Sequence, residues 1–447
     1  MILIKGGRVV DPESGRDEVC DVLIQGNRVV QIAEQIERAD CERFDPAGAV
    51  GMQVIDAAGM VVAPGLVDAH VHFREPGYTY KEDIISGAAA AAKGGFTTVI
   101  MMANTNPAID NEETLELVLA RGAQTGIHVK ACGAVTRGLA GRELTDMEVL
   151  SQRGAAGFTD DGIPVMDESL IRAAMEQAVR LAKPISLHEE DPAYIENNGI
   201  HAGPAAAFYG LGGSSREAEI SMAARDIALA EDTGAMIVIQ HISTREAVEL
   251  VRQAKKRGSS IFAEATPHHF TLTQEAVIKK GTLAKMNPPL REEEDRLAII
   301  AGLADGTIDM IATDHAPHSR EEKAKKIAEA PSGIIGLETA LSLGIRELIN
   351  KGFISLLALI EKMSLAAARL YGLDAGRLKV DGPADVVIFH PAEEWVVTKQ
   401  DLRSKAANTP FLGERMPGVV YATICDGQVV YEKDREDGLT CAKKEQL

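Results

Sequence analysis

Asp68-Ala69-His70-Val71-His72-Phe73-Arg74-Glu75-Pro76-Gly77 closes an apolar run that begins at Val61. An apolar run that breaks off into histidine, aspartate and arginine fits a buried parallel strand reaching a reactive end. In a barrel of such strands the catalytic groups sit at the C-terminal ends. His70 and His72 are two apart, so an extended backbone sends both imidazoles to the same face, here the barrel interior. Two inward imidazoles suit a divalent metal. Taken alone, a His-X-His is more often a pair of structurally satisfied histidines, so the reading depends on the rest of the chain.

The same style of run recurs. Apolar segments fall at 61–73, 97–102, 129–135, 155–159, 185–187, 236–239, 261–263 and 308–312, with helix-like stretches such as 168–181, 216–231 and 245–257 between them. Alternation of this kind predicts parallel strands joined by right-handed crossovers. Eight units predict a closed (β/α)8 barrel of the α/β class rather than an open sheet.

The chain ends read differently. Segments 2–4, 8–10, 22–25 and 28–32 are apolar or β-branched, with Gly26-Asn27 as a turn. Segments 384–389 and 421–431 match them, with a turn at Asp426-Gly427. Both ends are therefore expected to build one small composite β-domain from residues 1–60 and 372–447, around a barrel of residues 61–371. The last residues, including Lys443-Lys444-Glu445-Gln446, read as a mobile tail.

Composition narrows the function. The chain has 447 residues and a formal net charge of -19, which argues against nucleic acid and anionic membranes as partners. A few local cations can still bind an anionic small molecule. No apolar run reaches the ~18 residues that a membrane helix needs, and no leader is recognisable at Met1. The five cysteines, Cys20, Cys41, Cys132, Cys425 and Cys441, have no metal-knuckle or redox spacing and read as reduced thiols of a cytoplasmic protein.

Six of the other seven runs end in the same way, in Asn104-Thr105-Asn106-Pro107, Asp160-Asp161-Gly162, His188-Glu189-Glu190-Asp191, Gln240-His241-Ile242-Ser243, Thr266-Pro267-His268-His269 and Thr313-Asp314-His315-Ala316-Pro317-His318. For a chain with 11 histidines this clustering is far beyond chance. His188 and His241 add a second pair to His70 and His72, and two metals need a bridging anionic ligand. The fourth run supplies it from Asp161, with Asp160 as the alternative, because neighbouring residues point to opposite faces. Asp314, after the eighth run, suits a carboxylate that ligates metal and shuttles a proton. A metal pair lowers the pKa of water and supplies hydroxide for attack on an amide carbonyl.

His70-Val71-His72-Phe73-Arg74-Glu75-Pro76-Gly77 resembles the signature of the cyclic amidohydrolases, which include dihydroorotases, allantoinases and hydantoinases. Ala312-Thr313-Asp314-His315-Ala316-Pro317-His318 resembles their second signature, and the likeness spans essentially the whole chain. Phe158-Thr159-Asp160-Asp161-Gly162 and Lys285-Met286-Asn287-Pro288-Pro289-Leu290-Arg291 are similar to the long-chain bacterial dihydroorotases. The pattern departs at Ala103, at Ser332 and in the loop 210–217, which lacks the usual proline.

The resemblance implies a TIM-type barrel with two zinc ions. His70 and His72 would hold one, His188 and His241 the other; Asp161 would bridge, and Asp314 would ligate the first zinc and act as general acid and base. It further implies that Arg74, Asn104 and His318 hold the substrate carboxylate, and that Asn287 and the Gly333 backbone hold the ring. The implied reaction is reversible closure of N-carbamoyl-L-aspartate to L-dihydroorotate in pyrimidine synthesis. A homodimer is expected, with aspartate transcarbamoylase as a protein that could bind it.

Two other readings compete. A hydantoin or allantoin hydrolase usually carries a carboxylated lysine at the fourth strand end, where this chain has aspartates; the nearest lysine there is Lys183. An inactive scaffold for aspartate transcarbamoylase should have lost metal ligands, and here every candidate is present. The charged run Arg320-Glu321-Glu322-Lys323-Ala324-Lys325-Lys326 reads as a solvated surface.

Overall fold

The structure is a computed structural model, and it describes residues 1–44 and 51–433. The tail expected around Lys443 lies outside the described residues.

Eight short parallel strands form the barrel: Leu66–Val71, Phe96–Met101, His128–Ala131, Phe158–Thr159, Ile185–Leu187, Ile237–Ile239, Ile261–Ala265 and Met310–Ile311. The first three pair in order, as do the last five. Single parallel bridges join the two groups, Gly133 to Phe158 on one side and Val71 to His315 on the other. The eighth strand thus returns to the first and closes the ring. Helices from the intervening segments cover the outside. Arg245–Lys256 shows why they form: Thr244 caps the N-terminus, Glu246 lies in the first turn, and Lys255 and Lys256 lie in the last. Its Ala247, Val248, Val251 and Ala254 recur at helical spacing and are all buried.

The first apolar run is not one strand. Val61–Pro64 pairs with Ile2–Asp11 and Val386–Val396 of the chain-end sheet, whereas Leu66–Val71 pairs with the second barrel strand. Gly65 is the crossing point. A side chain there would collide with Thr97, since a Cβ would stand 2.2 Å from its Oγ1. Both halves are buried on every residue, so hydrophobicity carries no mark of the division.

The chain ends build one eight-stranded sheet. Its order is Gln428–Glu432, Arg415–Cys425, Val386–Val396, Val61–Pro64, Ile2–Asp11, Arg16–Gln25 and Arg28–Ala33, with Gln53–Asp56 also on Ile2–Asp11. The two turns expected from the sequence meet in space. Gly427 has φ +69, and a Cβ on it would lie 1.8 Å from the Gly26 carbonyl. Only glycine permits that approach.

A candidate metal centre at the barrel mouth

The cluster forms where the strands run out. His70 lies within the first strand and His72 one residue beyond its end; Asp161 lies two residues past the fourth, His188 one past the fifth, His241 two past the sixth and Asp314 three past the eighth. All six are buried.

Asp161 stands at the centre. Its Oδ1 is 3.5 Å from His70 Nε2 and 3.8 Å from both His188 Nδ1 and His241 Nε2. Its Oδ2 is 3.5 Å from His72 Nε2. Asp314 Oδ1 completes one side, 3.0 Å from His72 Nε2 and 3.6 Å from His70 Nε2. On the other side His188 Nδ1 and His241 Nε2 approach to 3.0 Å. His70 belongs to two ligand-sized triplets, one with His72 and Asp314 and one with Asp161 and His241.

Asp160, the alternative bridge, points away. Its Oδ1 accepts from the backbone N–H of Val135 (2.8 Å) and Thr136 (3.0 Å), and Oδ2 accepts from the Thr136 hydroxyl. Burial nevertheless raises its carboxyl to about 6.

Three imidazoles have their outer nitrogens fixed. Since carboxylates only accept, the Nδ1–H of His70 donates to Glu264 (2.5 Å) and the Nε2–H of His188 to Glu190 (3.1 Å). His72 Nδ1 meets Asn104 Oδ1 at 2.9 Å, and the Asn104 amide donates to Asp161 Oδ2 at 2.9 Å. These contacts turn His70 Nε2, His72 Nε2 and His188 Nδ1 inward, where each can offer a lone pair to a metal that displaces any proton it carries, the arrangement that metal-binding histidines require.

The electrostatics ask for a cation. Burial alone would neutralise Asp161, yet His70, His241 and His72 hold its carboxyl well below the usual range. Burial likewise opposes charge on Asp314, and the His72 contact together with the His70 charge overrides it. Burial also disfavours charge on His70, but Glu264 and Asp161 outweigh this and raise its pKa well above normal. His70 Nε2 is a buried nitrogen with no hydrogen-bond partner although two carboxylate oxygens face it. A divalent cation would satisfy that nitrogen and the carboxylates together, so the residues present fit a metal.

The backbone is strained at this mouth. Arg74 (φ 59), His241 (φ 32) and Asp314 (φ 46) are non-glycine residues in the left-handed region, each at a cost of about 1–3 kcal/mol. Neighbouring carboxylates hold these turns. Glu219 accepts from the N–H groups of Ser243 (3.0 Å) and Thr244 (2.8 Å), just after His241. Asp68 accepts from those of His70 (3.0 Å) and Thr313 (3.1 Å) and so ties the first strand to the eighth.

The residues expected to touch substrate divide into two groups. Strand geometry ends at Val71, so Arg74 does not share the inward face by alternation; its left-handed backbone turns it instead, and its Nε donates to the Pro317 carbonyl at 3.2 Å. Burial lowers the pKa of its guanidinium, and the nearby Asp314 and Asp161 charges work against that. Asn287 keeps its Oδ1 buried and unpartnered, with Nδ2 3.3 Å from His188 Nε2. The other three are already engaged. Asn104 uses both ends of its amide on His72 and Asp161. His318 Nε2 contacts the Ser332 carbonyl at 2.7 Å, and burial together with Arg74 and Lys81 pushes the imidazole pKa down to about 2. The Gly333 N–H donates to the Lys285 carbonyl, and its own carbonyl accepts from Lys323 and Asn408.

Glu264, Glu190, Glu219 and Asp68 escaped the sequence reading as supporting groups. Glu264 had a visible signal, a carboxylate inside the otherwise apolar Ile261–Ala265. The charged run from Arg320 also holds a surprise. Lys323 is buried, not solvated, and its ammonium donates to the Pro331 (2.9 Å) and Gly333 (3.0 Å) carbonyls. Burial lowers its pKa to about 7.

A closed α/β barrel with a chain-end sheet and this buried cluster is the architecture of the cyclic amidohydrolases. An L-hydantoinase (dihydropyrimidinase) from Arthrobacter aurescens superposes with a TM-score of 0.85 at 25% identity, over 97% of this chain and 96% of that one. A dihydropyrimidinase from Brevibacillus agri shares the fold, with a TM-score of 0.82 at 22% identity over 96% of this chain and 95% of the other. A family model described as dihydro-orotase-like matches residues 59–247. Among curated relatives, a dihydroorotase of Clostridioides difficile is 54% identical over 96% of this chain and all of its own length. One from Streptococcus thermophilus is 50% identical over 97% of this chain and again all of its own. The chain belongs to the dihydroorotase family.

Proposed function

We propose that this chain is a metal-dependent dihydroorotase that interconverts N-carbamoyl-L-aspartate with L-dihydroorotate and water, a step of pyrimidine synthesis. The observation that carries the reading is Asp161, set between four buried imidazoles and opposite Asp314, in a chain about half identical to named dihydroorotases along their full length. The imidazole and carboxylate donor set favours zinc. Two ions would divide as His70, His72 and Asp314 on one side and His188 and His241 on the other, with Asp161 shared. Bound there, they supply Lewis-acid polarisation of the ring carbonyl and hydroxide at neutral pH.

The chain's own residues do the rest. In the hydrolytic direction Asp314 takes the proton of the attacking water at its carboxylate. It then delivers that proton to the ring nitrogen as the C–N bond breaks. In the synthetic direction the same carboxylate removes the proton from the carbamoyl nitrogen as that nitrogen attacks the side-chain carboxylate carbon, and passes it to the departing oxygen, which takes a second proton from solvent and leaves as water. Arg74 pairs with the substrate carboxylate, since a planar guanidinium matches it in a charge-assisted, bidentate geometry. Asn287 offers its free Oδ1 to a ring N–H. Asn104 orients His72 and Asp161, while His318 and Gly333 shape the wall beside Arg74 and reach substrate only if their present contacts are exchanged.

In this reading the barrel that begins at Leu66 carries the chemistry, the chain ends together with Val61–Pro64 frame it, and a homodimer or a complex with aspartate transcarbamoylase is compatible with it. Among the described residues no helix is long and apolar enough to cross a membrane. The test is ring opening of L-dihydroorotate beside dihydrouracil, hydantoin and allantoin. Strong preference for the carboxylated ring is expected; equal turnover of dihydrouracil would overturn the reading.

A further inference from the structure

We propose that the seam between the barrel and the chain-end sheet holds a second, structural metal site built from His128, Cys425, Asp426 and Asp385, of a kind that takes zinc. It is independent of the proposed catalytic reading. The ligands come from both parts of the fold. His128 opens the third barrel strand, at the end of the barrel opposite the candidate catalytic centre. Cys425 is the last residue of Arg415–Cys425, Asp426 lies in the following turn, and Asp385 immediately precedes Val386–Val396.

The ligand atoms of His128, Cys425 and Asp426 lie within 4.8 Å of one another. His128 Nε2 is 3.2 Å from Asp385 Oδ2 and 3.8 Å from Asp426 Oδ2. A tetrahedral zinc with bonds of 2.0–2.3 Å has ligand-to-ligand edges of about 3.3–3.6 Å, close to these separations. The set of one imidazole, one thiol and two carboxylates is borderline in softness and suits zinc or cobalt better than calcium or magnesium.

A second observation points to a missing partner. The Asp385 side chain is only 2% exposed, and its Oδ2 has no hydrogen-bond partner. Its other oxygen is already used, accepting from the Asp426 N–H at 2.8 Å. His128 Nε2 faces Oδ2 at 3.2 Å as an ion-pair contact, and Asp385 is the main cause of the raised His128 pKa, so among the described residues this imidazole is the one cation-forming group already turned to that oxygen. A buried carboxylate oxygen left in that state is costly unless a cation meets it. Cys425 shares the enclosure: its thiol is buried beside Asp385, and burial first and then the two aspartates oppose its ionisation. A metal would reverse that balance by stabilising the thiolate. Entry is open, because the side chains of Asp426 and His128 are 57% and 31% exposed. A protonated His128 held by the two aspartates is the competing arrangement, and it needs no thiolate.

The test uses the full-length protein loaded with cobalt. The six residues of the mouth cluster contain no sulfur, so a thiolate-to-cobalt charge-transfer band reports only on cysteine. The band should be present in the wild type and absent from Cys425→Ser, with bound metal lower by about one per chain. His128→Gln should lose the same metal and keep that of the barrel mouth. Asp426→Asn changes an exposed side chain and should fold even if the others do not. It should weaken cobalt binding at this site at least ~10-fold, as loss of even an outer partner does. No band in the wild type, a band that survives Cys425→Ser, or an unchanged cobalt titration in Asp426→Asn would each overturn the proposal.

Discussion

Replacing Glu264 by glutamine tests whether the mouth cluster is organised from behind. Glu264 Oε1 lies 2.5 Å from His70 Nδ1 and accepts from the backbone N–H of His241 at 3.2 Å, so one carboxylate braces the His70 imidazole and the main chain that carries His241. Glutamine keeps the shape and one acceptor oxygen but removes the charge. A hydrogen bond to a charged group contributes about 1.5–3 kcal/mol and a neutral one about 0.5–1.5 kcal/mol, so the exchange costs about 1–1.5 kcal/mol on His70 alone. That equals a factor of about 5–13 in an equilibrium constant. Partners of metal-binding histidines generally contribute 10–100-fold to affinity, so ~10-fold weaker metal binding is the floor expected here. The assay is competition for metal against a chelator, with folding followed by circular dichroism and turnover measured at saturating metal. Glu264→Gln should bind metal ~10–100-fold more weakly and recover much of its turnover when metal is in excess. Affinity within about twofold of the wild type would refute the reasoning, because the His70 contact would then contribute no more than an ordinary neutral hydrogen bond.

Asp314→Asn should remain folded and metal-bound while losing ~10²-fold or more in kcat, since an amide cannot carry the proton; near wild-type turnover would remove Asp314 from the proton path. Arg74→Met should weaken dihydroorotate by ~1.5–3 kcal/mol in apparent binding while leaving any dihydrouracil turnover nearly unchanged, and equal losses for both rings would assign Arg74 a structural role. Asp161→Ala should abolish the paired metal site, whereas Asp160→Ala should leave metal content intact and lower the melting temperature, because two buried N–H groups lose their acceptor. Metal-stripped protein reconstituted with zinc should regain the same activity with and without bicarbonate, and a strict bicarbonate requirement would mean that a carboxylated lysine, not Asp161, bridges.

The barrel was legible because most of its strands are short buried runs that break off into polar residues, and helices such as Arg245–Lys256 bury one face at helical spacing. The chain-end sheet was legible from its two turns. What stayed hidden was the division of residues 61–73 between the two sheets. Hydrophobic pattern reports burial, and Val61–Pro64 and Leu66–Val71 are equally buried on either side of Gly65. The identity of the covering sheet is a long-range fact, set by pairing with Ile2–Asp11 and Val386–Val396. Lys323 was misread for a related reason. A run of charges is normally solvated, and only the fold back toward Pro331 and Gly333 brings carbonyls close enough to hold a buried ammonium.

The site divides along the same line. Residue type and strand-end position were enough to assemble His70, His72, Asp161, His188, His241 and Asp314, because the barrel brings all strand ends to one mouth. Position alone could not say which of Asp160 and Asp161 faces inward, and it gave no role to Glu264, Glu190 or Glu219. The structure separates the two aspartates by their hydrogen-bond partners. Asp160 is consumed by the Val135 and Thr136 backbone and so fixes the end of the third barrel segment against the fourth. The Asp161 carboxylate receives one amide hydrogen bond, from Asn104, and otherwise faces the imidazole nitrogens of His70, His72, His188 and His241. Two adjacent carboxylates therefore split the work: one closes the barrel wall, and the other puts its charge at the centre of the mouth. A lysine carbamate on a longer arm could reach the same centre from a strand position set further back. The short arm of Asp161 requires its backbone to stand two residues beyond the fourth strand, which is where the chain places it.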